Sequence, residues 1–176
     1  MAFAIPTVAA GVYLALFAIA LLACAAPLLV LRRDGASRTA RNMVLAAILI
    51  LPLTGGLGYT MTDNELRLED GKLVLHAAHF YEQARPLGEF DLARARAGTL
   101  ASIPEARLGV RSNGISLPGY AAGRFAGREG AVFALLTDRS RVVWLPAKAG
   151  PSLLISVARP EAFLAALRAD SGPASD

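Results

Sequence analysis

The sequence predicts an α+β membrane protein: two transmembrane helices followed by a β-rich domain that a single C-terminal helix closes. Three observations carry this. Ala2 to Leu31 and Met43 to Met61 hold no charged side chain, and apolar runs of roughly 20 residues are what a bilayer span needs. From Leu66 onward apolar residues alternate instead, the period of a strand with one buried face. Near the end Phe163, Leu164 and Leu167 return to helical spacing.

Composition agrees. The chain has 176 residues, of which 55% are hydrophobic and 18% charged. The apolar excess lies in the first third, which points to an anchor plus one small domain. The basic balance, with a pI near 9.7, needs dividing before it is interpreted. Arg32, Arg33, Arg38 and Arg41 stand against Asp34 in the segment 32–42, while Thr62 onward carries fourteen basic and thirteen acidic side chains. The domain is therefore nearly neutral, and nucleic acid, which requires a basic face, is excluded as a partner.

The elements follow in order. Residues 7–31 form the first span, with Pro6 at its entry and Pro27 placed to kink its last turn. The lone cysteine, Cys24, rules out an intrachain disulfide. The run Leu21-Leu22-Ala23-Cys24 is similar to a lipoprotein processing box. However, no basic residue precedes the apolar run, and the run continues to Leu31, so a small residue inside a span is expected. The Arg-rich loop 32–42 turns the chain. Lys and Arg in short loops stay cytoplasmic, which puts both termini and the domain outside, periplasmic or extracellular, on a bacterial inner or plasma membrane. In the second span, 43–61, Pro52, Gly55, Gly56 and Gly58 fit either a kinked helix that approaches the first closely or a helix ending near Leu53. The hairpin occupies 1–61, the β domain 62–170, and a disordered tail 171–176.

Within the domain, Leu66 and Leu68, then Leu73 and Leu75, flank Asp70-Gly71, a hairpin signal. Phe80–Arg85 and Phe90–Ala95 read as two further strands, and Ala97–Asn113 as mostly loop. Asn113-Gly114, Pro118-Gly119 and Gly123 read as turn punctuation, with Gly119 and Gly123 taking positive φ. Ala131–Leu136 and Arg141–Leu145 form a hairpin around Thr137–Ser140, and Ser152–Val157 is the last strand. Pro160 and Glu161 open the closing helix.

Three blocks carry a family likeness: Arg111–Tyr120 with Gly123-Arg124-Phe125, Ala131–Pro146, and Leu153–Ser156 with Pro160–Leu164. Together they resemble the bacterial pleckstrin-homology-like (PH-like) domain family. That resemblance implies two near-orthogonal antiparallel sheets of about seven strands capped by a C-terminal helix. Arg159 departs from the family's acidic residue before the Pro, which removes a capping carboxylate. The motifs are structural ones and specify fold rather than activity.

Catalytic chemistry has little support. His76, His79 and Glu82 have helical metal-site spacing, but on a strand His76 and His79 face opposite ways. Ser116, Asp138 and Ser140 sit at turns, where such side chains bond local backbone. Trp144 reads as a core aromatic. No cofactor or metal site is expected. Phosphoinositide is disfavoured because the first hairpin turn, Glu69-Asp70-Gly71-Lys72, is acidic. The expected role is a non-catalytic, membrane-anchored protein-binding or assembly module, partnered by another envelope protein or a second copy. Its binding surface would be Arg111, Asn113, Tyr120 and Arg124. The alternatives are a membrane-bound enzyme with a site near Arg111–Tyr120, or a lipid-binding domain.

Overall fold

A computed structural model describes residues 1–171, and the tail expected over 171–176 lies outside it apart from Ser171. The chain divides into two compact units, one helical (Ala10–Met61) and one β-rich.

In the helical unit, α1 (Ala10–Ala25) passes through a 3-10 turn (Ala26–Val30) into the short α2 (Leu31–Asp34). The change of helix type falls at Pro27, which cannot continue the α ladder. The segment read as an Arg-rich loop is mostly helical. Arg32 and Arg33 belong to α2, and Gly35 at φ +78° makes the turn. Arg38 and Arg41 already lie in α3 (Ala36–Thr60). That one glycine supplies the left-handed backbone a tight reversal needs.

The helix α3 does not stop at Leu53. It runs through Pro52 to Thr60, and the Thr54 hydroxyl donates to the Ile50 carbonyl at 2.6 Å beside the break in the ladder. Added Cβ atoms at Gly55 and Gly56 would meet nothing within 4 Å. Gly55 and Gly58 line a gap of about 310 Å³ between α1 and α3, floored by Tyr13, Phe17 and Leu51, rather than bringing the backbones together. Ala10–Asp34 and Ala36–Thr60 are each 25 residues, about 37 Å at 1.5 Å per residue, and are long and apolar enough to cross a membrane. Their large apolar side chains are exposed, Leu14, Phe17, Ile48, Leu49 and Leu53 among them, so neither is a core helix.

The β unit begins earlier than the sequence suggested. Its first strand, β1 (Ala2–Phe3), pairs antiparallel with β2 (Asn64–Glu69), Phe3 opposite Leu66. Met1–Ala9 therefore belongs to the β unit, whereas the uncharged run from Ala2 had read as part of the anchor. Next come β3 (Lys72–Ala77) and β4 (Tyr81–Pro86), completing a four-stranded sheet in sequence order. Asp70 and Gly71, both at positive φ, form the predicted hairpin turn. The core side of this sheet is Leu66, Leu68, Leu73 and Leu75, all buried.

The expected strand over Phe90–Ala95 is absent. Leu87–Glu89 is a 3-10 turn and Phe90 makes one bridge to Ala147. Asp91 then turns the chain by accepting the Arg94 N–H on both its carbonyl and its carboxylate. The second sheet holds β5 (Arg96–Gly98), β6 (Arg111–Leu117), β7 (Tyr120–Gly127), β8 (Gly130–Leu136), β9 (Val142–Leu145) and β10 (Ser152–Ser156), in the order β5-β9-β10-β8-β7-β6.

Two expectations change here. Asn113-Gly114 is not a turn but lies inside β6. And β8 and β9 do not pair: β10 enters between them, antiparallel to β9 and parallel to β8. The sheet is thus mixed, and among the described residues the unit has ten strands where about seven antiparallel ones were expected. The physical reason is burial. Every residue of β10 is buried, and a strand with Leu153, Leu154 and Ile155 on both faces favours a central position.

One face of this sheet packs Phe125, Val132, Leu136, Trp144 and Leu154 against Ile103 and Ala106 of the β5–β6 connection. On the other face, Phe133 of β8 meets Tyr81 of β4 edge-on at 5.4 Å. The helix α4 (Pro160–Asp170) buries Phe163, Leu164 and Leu167 as predicted, with the Phe163 ring 4.7 Å from Phe3. Its N-cap, Arg159, makes no side-chain cap.

Candidate functional site

Of the four residues proposed as a binding surface, Asn113 and Arg124 come together, Arg111 lies beside them, and Tyr120 is 1% exposed and belongs to the core. Tyr120 follows directly on the Pro118-Gly119 turn, where only the strand register reveals which face it takes. That register pairs it with Leu117.

Directly paired residues on neighbouring strands share a face. Asn113 lies opposite Arg124, Arg124 opposite Phe133, and Phe133 beside Leu153. The row therefore runs from polar and exposed at the sheet edge to apolar and buried at its centre. A bulge between Arg111 and Asn113 shifts the register where the row begins. Bulges of this kind re-aim side chains at sheet edges.

The glycines Gly114 and Gly123 let β6 and β7 approach here. They face each other at φ +122° and +130°, and a Cβ on either would lie 2.7 Å from the other's Cα and overlap a carbonyl oxygen. Asparagine and arginine at the next positions are thus carried on a two-glycine joint.

The opposite wall is β4, the edge of the four-stranded sheet. Tyr81, Gln83 and Arg85 alternate along it, and with Asn113, Arg124 and Pro151 they enclose a cleft of about 630 Å³. The Tyr81 hydroxyl donates to Asn113 Oδ1 at 3.4 Å across the opening. Gln83 Oε1 is buried with no hydrogen-bond partner among the described residues.

Arg85 is a structural cation. Its Nε donates to Glu89 at 2.8 Å, its Nη2 to the Ala149 carbonyl at 2.9 Å and its Nη1 to the Pro151 carbonyl, and its guanidinium lies 4.5 Å over the Phe90 ring. Arg124 is different: its guanidinium makes no hydrogen bond or ion pair among the described residues, and beyond the strand ladder its carbonyl accepts the Ser112 hydroxyl at 3.1 Å. The cleft therefore offers one available cation (Arg124), the Glu82 carboxylate, two amides (Gln83 and Asn113), a phenol and the edge strands β4 and β6. Phe80, 74% exposed, stands at its mouth.

Sequence reasoning missed Tyr81, Gln83 and Arg85. Their alternation along a predicted strand was visible, but not that this strand would be an edge facing β6.

The two histidines have different acidic neighbours. His76 on β3 lies 3.8 Å from Glu82, while His79 sits in the β3–β4 turn at φ +59° and contacts Asp63 at 2.9 Å. Among the described residues no three His, Cys, Asp or Glu side chains gather as a metal would require. Ser140 and Asp138 bond each other locally, as expected of turn residues. Hydrogen bonds from Ser140 and the nearby Arg141 guanidinium hold the Asp138 carboxyl below its ordinary range. In comparison with known proteins the chain matches no family model, no curated protein and no solved structure, so the reading of this cleft rests on its own geometry.

Proposed function

We propose that this chain is a membrane-anchored, non-catalytic binding module whose β domain engages a protein partner, or a second copy of itself, along the open edges β4 and β6. The observation that carries this is the cleft itself. Two strands with unpaired backbone groups flank it, an available arginine and an exposed phenylalanine mark its rim, and Arg85 rigidifies its wall from within. An unpaired edge is a ready template for strand addition, with alternate side chains supplying specificity. The PH-like reading belongs to the same proposal: two sheets and a C-terminal helix support it, while the ten described strands and the parallel β8–β10 pair depart from its expected pattern.

The anchoring part rests on chain topology. The chain leaves the β unit after Ala9 and re-enters it at Thr62. Two spans in between return it to the side it left, with Arg32, Arg33, Arg38 and Arg41 at the far turn. The positive-inside rule puts that turn in the cytoplasm and the β domain outside.

Photo-crosslinking in intact cells tests the binding role. A crosslinker replacing Phe80 or Asn113 should give a discrete protein adduct, and one replacing Glu105, away from the cleft, should not. Equal labelling at all three positions, or none at Phe80 and Asn113, would refute edge binding. A compartment-sensitive reporter fused after Asp176 tests the topology: activity is expected only outside the cytoplasm.

A further inference from the structure

The connection from β5 to β6 crosses the sheet face opposite β4 as a strap tied at both ends. At one end the Leu100 N–H donates to the Arg139 carbonyl at 2.8 Å. At the other, Gly109 N–H donates to the Ala126 carbonyl at 2.7 Å, and Ala126 N–H to the Val110 carbonyl at 2.8 Å. Between the ties Ile103 and Ala106 plug into the core. Beside them the strap leaves a cleft of about 560 Å³, floored by Ala121, Phe125 and Leu136 and rimmed by Arg107, Arg128 and Arg139. That volume is in the range of small-molecule sites.

The electrostatics are one-sided. Among the described residues no acidic side chain lines the cleft. Arg128 and Arg139 each have an acid next to them in sequence, yet both acids are committed to other arginines. Glu129 accepts Arg94 Nη2 on both oxygens, at 3.1 and 2.8 Å. Asp138 accepts Arg141 Nε at 2.7 Å and the Ser140 hydroxyl at 2.6 Å. The guanidinium groups of Arg107, Arg128 and Arg139 make no hydrogen bond or ion pair among the described residues. In a domain that is nearly neutral, three uncompensated guanidinium groups around one apolar floor are a local arrangement and not general basicity. Guanidinium forks match the oxygens of a carboxylate or phosphate, and an apolar floor takes a hydrocarbon tail.

We propose that this cleft binds a single-chain amphipathic anion, its carboxylate or phosphate head held by Arg107, Arg128 and Arg139 and its tail lying on Phe125 and Leu136. This site is separate from the β4–β6 cleft. The test is calorimetric titration of the full chain in phosphatidylcholine nanodiscs, with heats from empty nanodiscs subtracted. Octyl phosphate and octanoate distinguish the two heads, and the tighter binder identifies the preferred one. Each should saturate, while inorganic phosphate, which lacks the tail, and octyl glucoside, which lacks the charge, should bind at least tenfold more weakly.

The Arg128→Gln/Arg139→Gln double variant should lose tenfold or more in affinity for the anionic amphiphiles, with Trp144 emission unchanged as the check on folding. Arg159→Gln, which removes one positive charge away from the cleft, should bind like the native chain. Affinity retained in the double variant, or matched by octyl glucoside or inorganic phosphate, would overturn the proposal.

Discussion

The Ser156→Ala substitution tests how the turn between β8 and β9 is held. Ser156 is fully buried at the end of β10. Its hydroxyl accepts the N–H groups of Thr137 and Asp138, both at 3.0 Å, and donates to the Asp138 carbonyl at 2.8 Å. One oxygen thus satisfies three backbone groups of a turn that β10, inserted between β8 and β9, keeps apart from any hairpin ladder. Alanine removes all three bonds and leaves the Thr137 N–H without its partner in a buried setting. A net hydrogen bond contributes about 1 kcal/mol and an orphaned buried donor costs about 1–3 kcal/mol. The expected loss is therefore roughly 2–4 kcal/mol, a large share of the stability of a small domain.

The chain carries one tryptophan, Trp144, buried on β9 in the same sheet, so its emission reports unfolding of the β unit. In urea titrations of the full chain in mild detergent, a shift of that size moves the midpoint by about 1–4 M if the slope is near 1–2 kcal/mol/M. Ser112→Ala, which removes one exposed hydroxyl bonded to the Arg124 carbonyl, serves as the control and should cost under about 0.5 kcal/mol. If Ser156→Ala cost no more than Ser112→Ala, the turn would not depend on this hydroxyl and the reasoning would fail.

Three other outcomes are expected. Gly123→Ala should destabilise by about 3 kcal/mol or more, since a Cβ there collides with backbone of the paired strand at a φ that L residues avoid; the same urea assay reads it. Ala78→Gly should change stability by less than about 1 kcal/mol, because relief of the φ +54° strain at the β3–β4 turn is offset by loss of a fully buried methyl and by the greater freedom of the unfolded chain; a loss of about 2 kcal/mol or more in the same assay would contradict this. Asp138 has a carboxyl pKa lowered by folding, so its stabilisation is present above the ordinary carboxylate range and fades as pH falls through the folded value. The stability gap between the native chain and Asp138→Asn should therefore narrow on acidification, and a gap that widened would refute the assignment.

The apolar runs and the strand period were legible because each is a local pattern imposed by a single environment. Leu66, Leu68, Leu73 and Leu75 alternate because one face is buried, and Asp70-Gly71 marks its turn in the residues themselves. The partners of a strand are not local in that way. Nothing near Ser152–Ser156 says that β10 will separate β8 from β9; its apolar content on both faces implies only a central place. Likewise Ala2 and Phe3 read as more of an uncharged run, and only the pairing with Arg67 and Leu66 makes them a strand. The candidate surface was half legible for the same reason. Arg124 and Asn113 share a row by register, whereas Tyr81, Gln83 and Arg85 reach them from a different sheet.

The pairing of β1 with β2 also sets an order of events. These strands are separated in sequence by both long helices, so β1 is made first and must wait, unpaired, until the helical hairpin has been completed and Asn64–Glu69 has emerged. Long-range pairing of this kind is slow to form because the intervening loop must close first. A fragment beginning at Thr62 would lack β1 and leave β2 as a bare edge, open to pairing with other copies. The first few residues thus act as a cover for the sheet, one that arrives before the surface it protects.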